Sequence, residues 1–281
     1  MNIGNYNIIP TQTGLFRLDG GAMFGVVPKV LWNRTNPSDD LNRIQMCNRV
    51  LLLDNGKRKI LIDTGVGKKL SKKLNEIYAV DYSSNSLESS LKNINISPSE
   101  ITDVILTHLH FDHCGGCTYY DDDFQLKITF PNAVHYVQKK QYEWAMNPTV
   151  RDEASYFPED FNILAENKLL NTIDGNYKFD DFICLNIVNG HTPNMQIVKI
   201  SDDINTIIYT ADLIPMATHI SVPYIMGYDL LPLITLHEKI AYLRQASEKN
   251  HLIFLEHDPF IECVKVNLKN DNYFLSEKIN L

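Results

Sequence analysis

Four metal-ligating side chains crowd into six residues, His108-Leu109-His110-Phe111-Asp112-His113, directly behind the apolar run Asp103 to Thr107. Clustered imidazoles and a carboxylate are costly to bury without an ion, and they are the donors that a borderline cation such as zinc prefers. The pattern asks for a fold that drives a buried strand to an edge and ends it there in a turn. Gly115-Gly116 follows at once and lets the backbone bend closely around the ligands.

Four donors in one turn do not complete two metal shells. Three more stand in similar settings downstream. His191 lies in Asn189-Gly190-His191-Thr192-Pro193, after the apolar run Ile183 to Val188. Asp212 follows Ile207-Ile208-Tyr209-Thr210-Ala211, and His257 follows Leu252 to Glu256 and precedes Asp258-Pro259. Each is a strand end, where an open α/β sheet presents residues to a cleft. Seven donors with Asp212 shared suit two metals about 3.5–4 Å apart, the spacing of two-metal hydrolytic sites. His135, His219, His237 and His251 have no such neighbours and are expected to serve packing or the surface.

The rest of the chain alternates strands and helices. Arg49 to Leu53 and Arg58 to Ile62 flank Asn55-Gly56, a hairpin signal, and the second run ends in Asp63-Thr64-Gly65. Ser86 to Asn93 reads as a helix, and Ser97-Pro98-Ser99-Glu100 as a helix start. Further strands are expected at 133–137, 196–200, 206–210 and 252–255, and an amphipathic helix at 235–249. The polar, aromatic stretch 141–165 fits no single pattern. Lys68, Lys69, Lys72 and Lys73 fall at helical spacing and predict a solvated face.

Interleaved strands and helices argue for one α/β domain over 1–281. With 26 basic and 34 acidic residues the chain carries a net charge of −8, which disfavours a nucleic-acid partner. No apolar run approaches the ~18 residues of a membrane span, and the N-terminus lacks the pattern of a signal peptide. Five cysteines without an export signal read as reduced thiols, so the expected location is the cytoplasm. Cys114 and Cys117 have C-x-x-C spacing, but no second pair completes a zinc ribbon. No G-x-S-x-G occurs, so a serine nucleophile is not supported.

Taken in order, HLHFDHCGG, GHTP, TAD and EHDP resemble the metallo-β-lactamase superfamily from about Asn48 to Asp258. The resemblance implies an αββα four-layer sandwich, two mixed sheets flanked by helices, with a dinuclear site at one edge. It assigns His108, His110 and His191 to one metal, Asp112, His113 and His257 to the other, and Asp212 to both. Gly20 to Lys29 (GGAMFGVVPK) and Pro223 to Asp229 (PYIMGYD) resemble the branch of N-acyl-homoserine (quorum-quenching) lactonases. Two departures stand out. Asn194 occupies the position where GHTPG has glycine, and Pro215 the position where known lactonases place a substrate-contacting tyrosine.

The chemistry implied is hydrolysis of a small molecule by a metal-bridging hydroxide on two Zn2+, with other divalent ions or iron as alternatives. A lactone of the N-acyl-homoserine type is the leading substrate, with Asp112 relaying the proton to the leaving alkoxide. Tyr224 or Tyr228 would supply the hydroxyl missing at Pro215; their other reading is core or rim packing. Met23, Phe24, Val26, Val27 and Leu31 would wall an acyl groove, and Asp63 would organise the ligand loops. Phosphate or carboxylic esters are the near alternatives on the same metals. An iron oxidoreductase, a β-lactamase and a non-catalytic binding module rank below them. The resemblance also implies a homodimer, and the lack of a long apolar run implies no membrane partner.

Overall fold

Asn55-Gly56 turns the chain tightly, with Gly56 at a φ of 80° and the Asn55 side chain accepting the Lys57 and Arg58 amides. Asp54 therefore pairs with Lys59, and strand Lys59–Ile62 lies antiparallel to Arg43–Asp54. The computed structural model describes residues 1–281, and the chain falls into two compact units: Met1–Leu15 with Asn48–Tyr177, and Phe16–Cys47 with Lys178–Leu281.

In the first unit Lys59–Ile62 is followed by three parallel neighbours, Asp103–Ile105, Val134–Gln138 and Leu170–Ile173. They belong to a seven-stranded mixed sheet begun by Asn2–Ile3, Tyr6–Asp19 and Arg43–Asp54. Its apolar face buries Val50, Leu52, Leu61, Val104 and Leu106 against Leu87 and Leu91 of helix Leu87–Asn93. The helix lies where the sequence predicts one, and Ser86, expected inside it, instead caps it with a reciprocal bond to Ser89. The start expected at Ser97 yields only the 3-10 turn Pro98–Glu100. Ile101 is fully buried and extended, so the core draws the chain into the next strand before a second turn can form. The stretch 141–165 is broken up: helices Lys139–Met146 and Asn162–Glu166 are separated by the 3-10 turns Glu153–Ser155 and Pro158–Asp160.

The second unit holds another seven-stranded mixed sheet, in the order Tyr177–Lys178, Ile183–Val188, Met195–Ser201, Thr206–Tyr209, Leu252–Phe254, Cys263–Lys269 and Asn272–Ile279. Thr206–Tyr209 and Leu252–Phe254 run parallel, with Tyr209 opposite Phe254, so both strands end at the same edge. Their crossover is helix Pro232–Lys249, with Pro232 in its first turn and Asn250 in the left-handed conformation at its end. It begins three residues ahead of the expected Thr235. The long strand Tyr6–Asp19 and the hairpin of Cys263–Lys269 with Asn272–Ile279 were not predicted from the sequence. The latter strand is mostly exposed and carries little apolar alternation. No helix is long and apolar enough to cross a membrane, and none of the five cysteines is in a disulfide.

Candidate metal centre

Parallel pairing of Ile62 with Ile105 brings Asp63 and the start of the histidine motif to one sheet edge. There Asp63, fully buried at a φ of 57°, accepts three hydrogen bonds. Thr107 donates its amide to Oδ1 and its hydroxyl to Oδ2, both at 2.7 Å, and His113 donates from Nδ1 to Oδ2 at 3.1 Å. His113 Nε2 is thereby left as a lone pair, 3.9 Å from Asp112 Oδ2. The Thr107 hydroxyl, used as donor toward Asp63, accepts from His108 Nδ1 at 3.1 Å, so the lone pair of that ring is on Nε2. That nitrogen faces His110 Nδ1 at 3.0 Å. At that distance a neutral His110 donates from Nδ1 to the His108 lone pair, and a cation could take the place of that proton.

The motif's short helix Phe111–Cys114 is pinned from outside: Thr64 donates its amide and hydroxyl to the His113 carbonyl, and Asn48 its side-chain amide to the Asp112 carbonyl. Gly67 and Gly115 pass so closely that a Cβ on Gly115 would fall 2.1 Å from the Val66 carbonyl oxygen. His108, His110, Asp112 and His113 are all buried.

In the second unit His191, Asp212 and His257 stand beyond the ends of Ile183–Val188, Thr206–Tyr209 and Leu252–Phe254. The Asp212 carboxylate spans the two histidines, Oδ2 at 3.0 Å from His191 Nε2 and Oδ1 at 3.2 Å from His257 Nε2. Ala211 just before it holds a φ of 43°, a strained value for a residue with a side chain. His191 Nδ1 donates to Asp229 at 2.8 Å, and His257 Nδ1 to the Cys47 carbonyl at 3.0 Å. Both rings are thus locked with Nε2 toward the shared carboxylate. Burial opposes charging His191, but Asp212 and Asp229 outweigh it and raise its pKa to about 10. That strong pull on a proton is what a cation would replace.

The donor sets fit divalent metal ions: imidazoles fixed at one nitrogen, with a carboxylate shared between two of them. Asn194 explains one departure from the family pattern. It holds a φ of 57°, a left-handed conformation that Asn adopts more readily than most residues with a side chain, and the Asn189 side chain accepts its amide. Pro215 contributes only its carbonyl, accepting the His257 amide at 3.0 Å. Tyr224 is half-buried, edge-on to Phe24 at 5.9 Å; Tyr228 is 38% exposed. Met23 and Phe24 lie in the interior, with Phe24 stacked on Trp32 and His219, while Val26 is 94% exposed, so they do not form a common wall. His219 is a packed residue bonded to the Met23 carbonyl, and burial pulls its pKa to about 3. His135 is fully buried, held near 4 by the same effect.

Lys69 departs from the solvated face expected of it. It is buried on Asp160 at 2.9 Å and donates to the Gly115 and Thr118 carbonyls. Lys68 stays half-exposed, paired with Glu88. Sequence reasoning also passed over Asp229, Glu238 and Lys239. Asp229 was legible in part, as a carboxylate closing the motif PYIMGYD; the other two look like ordinary polar positions of an amphipathic helix.

Fold and donors define a mixed α/β protein with the motifs of a metal-dependent enzyme. Comparison with known proteins makes the class definite. The sequence profile of the metallo-beta-lactamase superfamily matches residues 46–257, and the chain belongs to this superfamily of hydrolases. A Staphylococcus aureus protein described as a probable metal-dependent hydrolase superposes with a TM-score of 0.85 at 26% identity, covering 100% of both chains. AidC, a dizinc quorum-quenching lactonase solved with a product, gives a TM-score of 0.81 at 21% identity over 100% of this chain and 97% of that one. In sequence, the N-acyl homoserine lactonase AttM of Azorhizobium caulinodans is 33% identical over 72 residues, 26% of this chain. That match spans only 24% of the relative's length.

Proposed function

We propose that the chain is a dinuclear metal-dependent hydrolase that opens a lactone ring, with N-acyl-homoserine lactones as substrates. The observation that carries the reading is the pair of donor sets, each with its imidazoles locked by hydrogen bonds at Nδ1 or set nitrogen to nitrogen. His108, His110 and His191 would hold one zinc ion, Asp112, His113 and His257 a second, and Asp212 both. Neither compact unit has all seven, so we take 1–281 as one functional domain. The lactonase neighbours and the partial AttM match support the substrate class. When bound, two such ions supply Lewis acidity, lowering the pKa of a water to near 7 and polarising a carbonyl oxygen.

The chain's own residues would do the rest. Asp112, a buried carboxylate beside His113, takes up the proton from the nucleophile and returns it to the leaving alkoxide. Tyr224 and Tyr228 offer hydroxyls in place of the one lacking at Pro215, orienting the acyl carbonyl. Reduced cysteines support a cytoplasmic setting, and homodimerisation belongs to the same proposal.

The test is hydrolysis of short- and long-chain N-acyl-homoserine lactones by zinc-loaded protein, with metal content measured on the same sample. Ring opening with about two metals per chain, lost in an Asp112→Asn, His113→Ala variant, is the expected result. Two metals without lactone turnover would move the assignment to phosphate or carboxylic esters. One iron per chain would overturn it.

A further inference from the structure

Helix Pro232–Lys249 carries two adjacent side chains of opposite charge that hold two different loops. Glu238 accepts the backbone amides of Asn189 at 2.8 Å and Gly190 at 3.0 Å, the two residues before His191. Gly190 lies against the same helix so closely that a Cβ would fall 2.3 Å from the Thr235 amide nitrogen. Lys239 is fully buried, and its Nζ donates to the carbonyls of Ser221 at 3.0 Å and Tyr224 at 2.6 Å. An ammonium taken out of water is expensive unless its protons are well received, so this lysine is a strong determinant of where those carbonyls stand.

The two loops meet only at one end of the tyrosine-bearing segment. There Asp229 accepts from His191, Leu230 donates its amide to the His191 carbonyl at 3.1 Å, and Leu231 donates to that of Gly190 at 2.8 Å. At the other end the Ala217 amide is held by Asp258. Between these anchors Thr218 donates to Asn36 and His219 bonds the Met23 carbonyl, and across 221–228 Lys239 holds the carbonyls of Ser221 and Tyr224 while the Gly227 amide donates to the Ala22 carbonyl. Loss of Lys239 therefore loosens residues 221–228 while the His191 loop keeps its anchors; loss of Glu238 does the reverse.

We propose that Glu238 and Lys239 are positioning residues with separate tasks: Glu238 fixes the His191 loop and so sets metal retention, whereas Lys239 fixes the Tyr224–Tyr228 segment and so sets substrate binding. The substrate part rests on the hydrolase reading above; the loop-fixing part does not.

The experiment compares zinc-loaded parent, Lys239→Met and Glu238→Gln by amide hydrogen exchange, by zinc retention against a chelator and by lactone kinetics. In Lys239→Met, amides in 221–228 should exchange about tenfold faster or more while 189–191 stay within about twofold. Its zinc retention should be unchanged, with KM raised about tenfold and kcat nearly constant. In Glu238→Gln, the 189–191 amides should be the ones that speed up, with zinc held about tenfold more weakly. Both variants disturbing both segments alike, or neither disturbing either, would overturn the proposal. Should Lys239→Met fail to fold, Lys239→Gln, which keeps an NH2 donor group on a shorter, uncharged side chain, must give the same pattern in weaker form. A parent without lactone turnover would sink the lactonase reading, and the exchange and chelator measurements would still decide this one.

Discussion

Replacing Asp63 by Asn changes one atom in the buried corner that sets the histidine motif. The backbone should accept it, since Asn tolerates the φ of 57° found there. The carboxylate accepts three donors, the Thr107 amide on Oδ1 and the Thr107 hydroxyl and His113 Nδ1 on Oδ2. An amide has one acceptor and one donor end, so it cannot serve all three. With its NH2 toward Thr107 N–H, a buried backbone donor is orphaned, costing about 1–3 kcal/mol of stability. With its NH2 toward His113, the ring must turn its Nδ1 lone pair to the amide and carry its proton on Nε2, the atom offered to a metal. The first orientation keeps the His113 tautomer and lowers stability alone; the second turns the tautomer, and zinc affinity should fall about 10–100-fold. Chelator competition on the purified variant measures the second effect and urea unfolding of the metal-free protein the first. Unchanged zinc affinity together with unchanged stability would refute the argument that Asp63 selects the tautomer.

Three further outcomes follow from the same geometry. Asp229→Asn replaces the charged acceptor of His191 Nδ1, and zinc retention should drop about tenfold with the fold intact by circular dichroism. Gly190→Ala places a methyl carbon 2.3 Å from the Thr235 amide nitrogen and hydroxyl oxygen, so the His191 loop must shift; a lowered melting temperature and impaired zinc binding should appear together. The third concerns pH. Burial pulls the Lys239 ammonium from 10.5 down to about 7, against the attraction of Asp229. Above pH 7 the unfolded chain still binds a proton there that the folded one has released, so this group makes stability rise toward pH 10. Lys239→Met should remove that rise in urea midpoints. The difference between variant and parent isolates it from His191, whose raised value of about 10 tilts the metal-free protein the opposite way.

What could be read without coordinates follows from where the information lies along the chain. Asn55-Gly56, helix Leu87–Asn93 and the strand runs at 183–188 and 206–209 act through near neighbours, and all appear where local rules put them. The candidate donors could be picked out because strands that run the same way within a sheet end at one edge, so a donor just past each strand announces itself. The helix expected after Ser97 failed because Ile101 is claimed by the core, a demand set by residues distant in sequence. The buried lysines make the same point more sharply. Lys69 has helically spaced lysines around it and reads as solvated, yet its partners are Asp160, Gly115 and Thr118, all far along the chain. Lys239 takes a carbonyl from Tyr224, just ahead of its own helix, but nothing in the periodicity of 232–249 marks it as inward. Periodicity assigns a charged residue to water by default, because it cannot count the carbonyls that will be left over when two loops are folded against one helix. Those unpaired carbonyls, and not the lysine's own propensity, decide that it is buried. The residues that hold the loops beside the candidate donors are therefore the ones a motif search passes over.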